Sequence, residues 1–141
     1  MTVPSAVVAW ACSALGAEAP ELTRLEGGTA SEVWHLCARR RDGSPVTAVL
    51  KTAGPQENAD DAALIAREHR VLSALARLPL PVPGLLACDA TGASAGRPAL
   101  LLRCMPGRLL AGPREIRAAI PAMARTIVRC QREARAVVAG T

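Results

Sequence analysis

The sequence predicts an α+β fold: a five-stranded antiparallel sheet carrying one long helix, with further helices flanking it at both ends of the chain. Three observations lead there. Residues 21–52 hold runs of period-two alternation interrupted by Gly27-Gly28 and by Asp42-Gly43, the pattern of a strand meander. Residues 58–78 and 116–137 instead repeat their apolar positions every three to four residues, as helix faces do. Between those helical segments, 85–89 and 98–104 read as two more short strands.

At 141 residues the chain has the size of one domain, and folding as one unit would bury roughly 70% of its unfolded surface. Half of it is hydrophobic, yet Trp10 and Trp34 are its only aromatics, so the core must be assembled from Leu, Val, Ile, Met and much Ala. The formal charge of +5 is unevenly spread. Residues 1–110 are nearly balanced, whereas 111–141 carry six arginines against Glu115 and Glu133. No basic stripe interleaves with aromatics and no nucleic-acid motif occurs, so nucleic acid is not an expected partner. Cys12, Cys37, Cys88, Cys104 and Cys130 are odd in number and widely spaced. They fit neither a disulfide framework nor a zinc pattern, and are expected as buried free thiols of a cytoplasmic protein. The apolar run near the N-terminus has no positive charge before it and is too short to span a bilayer, so neither a signal peptide nor a membrane partner is expected.

That run reads instead as a first helix, with Pro4 in its first turn and Gly16 as its stop. A short strand is expected over 21–26, leading into Gly27-Gly-Thr-Ala-Ser31. The second strand, 32–41, alternates Val33, His35, Cys37 and Arg39 with Trp34, Leu36 and Ala38, and Asp42-Gly43 turns it into a third over 46–52. His35 and His69 are lone residues on separate elements, expected on strand and helix surfaces. Gly54-Pro55 breaks the chain, and Asn58 or Asp60 can cap a helix running to about Leu78. On a helical wheel Leu64, Val71, Leu72, Leu75 and Leu78 form a stripe about 120° wide with Glu68 near its middle. Glu68 therefore either pairs at the surface with Arg67 or Arg70, or points at the core and needs a buried cation. Leu78-Pro-Leu-Pro-Val-Pro83 is too rich in proline for helix or central strand and predicts an extended connector. After Met105-Pro-Gly107, the residues Ile116, Ile120, Met123, Ile127, Cys130, Ala134 and Val137 share one helix face, with Pro121 expected to kink or divide the helix.

Lys51 stands out because it is the only lysine beside 16 arginines. Lysine offers a compact point charge where arginine offers a planar fork. A turn of small residues lets backbone N–H groups approach a polyphosphate, a cation on the adjacent strand can hold its oxygens, and an inward glutamate can fix that cation. Gly27-Gly28, Lys51 and Glu68 occur in that order.

With these residues the chain resembles the N-terminal lobe of the aminoglycoside phosphotransferase-like family, small-molecule kinases of protein-kinase-like fold. The resemblance covers about residues 4–130. Its carriers are Gly27-Gly-Thr-Ala-Ser-Glu-Val-Trp34 for the nucleotide-covering loop, Val49-Leu-Lys51 for the strand with the ATP-anchoring cation, and Arg67-Glu-His-Arg-Val-Leu72 for the helix whose glutamate pairs with it. Leu100 to Gly107 matches the last strand and the hinge. The resemblance implies ATP as phosphate donor, covered by Gly27, Gly28, Thr29, Ala30 and Ser31, with Lys51 on its phosphates and Glu68 orienting Lys51. Val33 and Val49 would pack on the adenine, and backbone groups around Arg103 and Met105 would hold it. Ala30 and Glu32 depart from the usual loop, and Arg103 stands where an acidic hinge residue is common.

The resemblance divides the chain into a nucleotide-binding lobe, 1–107, and a hinge with the helical start of a truncated second lobe, 108–141. Family members carry a His-Gly-Asp-type catalytic loop and Mg2+ ligands in that second lobe. Residues 108–141 contain no Asp, Asn or His, so catalysis by these residues alone is not expected. The alternative is a non-catalytic, pseudokinase-like interaction module that docks or self-associates through its last helix.

Overall fold

The computed structural model describes residues 2–26, 31–54, 59–108 and 110–139. Among them the order is α1 (Ser5–Leu15), β1 (Ala17–Leu25), β2 (Ser31–Arg40), β3 (Pro45–Ala53), α2 (Ala59–Leu75), β4 (Leu85–Asp89), β5 (Ala99–Arg103) and α3 (Pro113–Ala139). The strands form one antiparallel sheet in the order β1-β2-β3-β5-β4. No helix among the described residues is long and apolar enough to cross a membrane.

Helix α1 starts and stops where its sequence dictates. Pro4 precedes it and its carbonyl accepts from the N–H groups of Val7 and Val8. Gly16 ends it in the left-handed region at φ 59°, a conformation glycine adopts without a Cβ clash. The chain then enters β1 at once, four residues earlier than alternation alone suggests. Of those extra residues, Ala17 and Glu18 pair with Arg40 and Arg39, and an irregularity follows between Glu18 and Glu21, where Ala19 takes φ 51°. A bulge lets Pro20 pass without breaking the pairing on either side.

The two faces of the sheet are covered by different helices. On one, Trp34, Leu36 and Ala38 of β2 and Ala48 and Leu50 of β3 are buried together with Val7 and Ala11 of α1. Alanines on both sides let helix and sheet approach closely, which is how a chain poor in aromatics closes its core. On the other face, Ile65 and Leu72 of α2 pack on Leu100 and Leu102 of β5. Each fully buried leucine of this kind contributes about 1.5–3 kcal/mol.

Helix α2 ends at Leu75, before the Leu78 expected, because Pro79 and Pro81 follow too closely for another turn. Its orientation also differs from the wheel. Ile65 and Leu72 are buried, whereas Leu64 and Val71 are 44% and 48% exposed. The helix is rotated by about one residue from the expected stripe, and Glu68 stays on the inward side. The cysteines are corrected too: all five are free but only half-buried. Burial pushes the Cys12 thiol up, and burial followed by the nearby Asp89 charge pushes up Cys88.

The β4–β5 connection folds around one carboxylate. Asp89 accepts from the backbone N–H groups of Gly92, Ala93, Ser94 and Ala95 at 2.7–3.2 Å, and from the Thr91 hydroxyl at 3.3 Å. Gly92 is required here: at φ 76°, a Cβ would sit 2.6 Å from the Arg97 backbone. The buried Thr52 hydroxyl donates to the Pro98 carbonyl at 3.1 Å, and the Arg97 guanidinium to the Ala53 carbonyl at 3.2 Å. These bonds fasten the end of β3 to the start of β5.

Pro121 does not divide α3, which runs unbroken through it. The apolar face expected on this helix is open to solvent at Ile116, Ile120, Met123 and Ile127. A guanidinium N–H of Arg129 donates to the Pro79 carbonyl, linking the helix to the proline connector.

Candidate functional site

Period-two pleating sends Val33, His35 and Cys37 to the face opposite Trp34 and Leu36, and Val49 and Lys51 to the face opposite Ala48 and Leu50. On that face a cleft of about 790 Å³ opens beside β2, β3 and the end of β5, a size suited to a small organic ligand. Its ceiling is Leu25, Val33, His35, Val49 and Leu102, with Glu26 beside Leu25 at its edge. Pro83 closes one side, and the segment from Arg103 to Met105, with Gly107 and Arg108, forms the rim.

Lys51 lies one pleat further along the strand, opposite Val33 on one side and Leu100 on the other. Its ammonium donates to a carboxylate oxygen of Glu68 on α2, and the two side chains are 26% and 32% exposed. The choice left open for Glu68 is thereby decided: its partner is Lys51, reached from a different element, and not Arg67 or Arg70 on its own helix. The pair is shielded enough for its Coulomb attraction to exceed that of a surface pair, yet remains open to a ligand.

Of the residues singled out by sequence, Val33, Val49, Arg103 and Met105 come together in the cleft wall. Lys51 and Glu68 meet each other just beyond it. Ser31 begins β2, two residues before Val33. Gly27, Gly28, Thr29 and Ala30 lie outside the described residues. Glu32 is buried on the opposite face, so its departure from the usual loop does not alter the cleft. The backbone N–H of Arg103 donates to the Gly84 carbonyl at 2.7 Å. Engaged in this way, it cannot also serve a ligand in the cleft.

His35, expected on a strand surface, is on the strand face that lines the cleft and is half-buried there. The signal was present, because His35 stands two residues from Val33 and must share its face. Leu25, Leu102 and Cys104 also line the cleft unannounced, since their place depends on how β1 and β5 pair across the sheet.

Arg108 at the rim holds both carboxylate oxygens of Glu115 at 2.7 and 2.9 Å, and the Ala111 N–H donates to the same carboxylate. Arg108 and then Ala111 hold the Glu115 carboxyl below its ordinary value. The first turn of α3 is thus pinned next to the cleft. No group of three or more His, Cys, Asp or Glu among the described residues could hold a metal ion.

The model of the phosphotransferase enzyme family matches residues 21–138. A search of curated proteins found no match. Among solved structures, the crystal structure of a candidate aminoglycoside phosphotransferase from Ralstonia eutropha JMP134 superposes with a TM-score of 0.51 at 24% identity, covering 75% of this chain. At that identity the likeness is one of fold, and the sheet with its helices is that of a protein-kinase-like N-terminal lobe. The chain spans 29% of the length of that protein.

Proposed function

The chain belongs to the phosphotransferase enzyme family, and from that premise we propose that residues 1–107 form the nucleotide-binding lobe of an ATP-dependent small-molecule kinase, with 108–141 as the hinge and the helical start of a second lobe. The observation that carries this reading is the Lys51–Glu68 pair beside an apolar cleft. Val33 and Val49 would cover the adenine from above, and Lys51 would present its ammonium to the phosphates while Glu68 holds it in place. The small-residue segment from Gly27 to Ser31 would cover the phosphates. ATP supplies the transferable phosphoryl group; this chain's part is to bind and orient it.

Phosphoryl transfer needs an acceptor for the hydroxyl proton and charge stabilisation at the phosphate. Residues 108–141 offer no Asp, Asn or His for either task. The 141 residues are therefore proposed to bind ATP without transferring phosphate, and added magnesium should change binding little. Calorimetry on Lys51→Ala tests the reading. Loss of a charge-assisted contact should weaken ATP binding about tenfold or more, and an unchanged affinity would remove the role given to Lys51.

The exposed stripe on α3 favours a second reading, a non-catalytic module that self-associates through this helix. Sedimentation velocity separates the two, because only this second reading requires mass to rise with concentration.

A further inference from the structure

The cleft face of the sheet carries its side chains in cross-strand rows. One row runs Leu25, Val33, Lys51, Leu100, and the next runs Thr23, His35, Val49, Leu102. The first row has its polar group in Lys51, already engaged by Glu68. In the second, His35 stands directly opposite Val49 and diagonal to Lys51, half-buried in the ceiling.

Two facts make His35 unlike a packed surface histidine. The cleft residues around it, Leu25, Val33, Val49 and Leu102, are apolar, with Thr23 opposite it on β1 and Glu26 at the cleft edge, and none of these is hydrogen-bonded to its ring. Its Nδ1 lies 3.5 Å from the Cys37 thiol, and its Nε2 has no hydrogen-bond partner among the described residues. The Cys37 contact biases the ring's orientation from the strand side. The ring lines the cleft and this nitrogen is open to water, so a polar group of a bound ligand could take the water's place.

Resting on the nucleotide reading above, we propose that His35 contacts the nucleobase, supplying the ceiling with a hydrogen-bonding edge that reads the base while Lys51 holds the phosphates. The rows separate the two tasks. His35 lies in the row that ends at Leu102 next to Arg103, separated from that end by Val49, whereas Lys51 lies in the neighbouring row that ends at Leu100. A flat purine under Val33 and Val49 would turn one edge to the hinge and the opposite edge to His35. Imidazole can donate or accept through Nε2 according to tautomer, so either an amino or a carbonyl edge could be met.

The test measures ATP and inorganic tripolyphosphate binding to the 141-residue chain by calorimetry, for wild type, His35→Leu and His35→Gln. Removing one net hydrogen bond should weaken ATP binding about fivefold to tenfold in His35→Leu, leave tripolyphosphate unchanged, and be largely restored in His35→Gln, which keeps a polar edge. An equal loss for tripolyphosphate would show a general disturbance of the sheet and overturn the proposal. Unaltered ATP binding in His35→Leu, with wild type binding ATP, would overturn it while sparing the nucleotide reading. Wild type that fails to bind ATP at all would sink both.

Discussion

Leu50, Leu100 and Leu101 in the sheet are fully buried, whereas Ile116, Ile120, Met123 and Ile127 on α3 are 47–55% exposed. Both sets are large aliphatic residues at the correct period for their element. The difference lies in what covers them. The sheet receives α1 on one face and α2 on the other, both from nearby in the sequence, while α3 turns its stripe to solvent. A period in the sequence specifies a face, and the cover for that face is a property of the assembled chain.

The largest test of this contrast is Leu101→Ala. Leu101 is completely inaccessible and sits with Leu36, Leu50 and Ala48 under α1. A thin, alanine-rich core has few long side chains able to relax into a void, so the cost should fall within about 2–5 kcal/mol. Urea unfolding followed by far-UV circular dichroism would measure it. A loss below about 1 kcal/mol would mean that the α1 face is packed more loosely than its burial implies, which would bring the sheet closer to α3.

Much of the sheet was legible beforehand because alternation, the Asp42-Gly43 turn and the proline connector each act locally. The same alternation would have assigned His35 to the face of Val33, but a lone histidine carries no local mark of what lies opposite it. The start of β1 was hidden, because Ala17, Glu18 and Pro20 have no strand preference; Ala17 and Glu18 are held by pairing with Arg40 and Arg39, and Pro20 sits in the irregularity that follows. The rotation of α2 escaped for a similar reason: Leu64 and Ile65 are equally apolar, and only contact with Leu100 and Leu102 selects Ile65. Periodicity alone names Lys51 and Glu68 separately and leaves the partner of Glu68 open; the family resemblance implies their pairing, and the crossing of α2 over β3 brings it about.

A smaller effect is expected at the β4–β5 connection. Partial burial, the largest influence, pushes the Asp89 carboxyl up, but the N–H groups of Ala95 and Ser94, the Thr91 hydroxyl and the Gly92 N–H together hold it below its ordinary value. A depressed folded-state pKa means that the unfolded chain binds the proton more readily. The stabilisation is therefore complete above the ordinary carboxyl pKa of about 4 and is lost as pH falls through the lower folded value. Asp89→Ala should cost about 1–3 kcal/mol at neutral pH by orphaning several N–H donors. Its cost should shrink in acid, and a penalty independent of pH would show that the loop is held by Gly92 and its turn, not by the carboxylate.

The smallest effect should come from α3, where Ile120→Gln exchanges one helix-compatible side chain for another at a position 53% exposed. Arg129, which reaches the Pro79 carbonyl, follows nine residues later. At about 100° per residue, that places it on the opposite side of the helix from Ile120. The contact with the lobe and the apolar stripe therefore use different faces, and removing an isoleucine from the stripe leaves the Arg129 link intact. The change in unfolding free energy should stay within about 0.5 kcal/mol. If the stripe mediates self-association, the same substitution should lower the sedimenting mass at high concentration while stability stays level. A loss above about 1 kcal/mol in a chain that sediments as a monomer would instead show Ile120 to be covered within its own fold, and the division between closed sheet and open helix would fail.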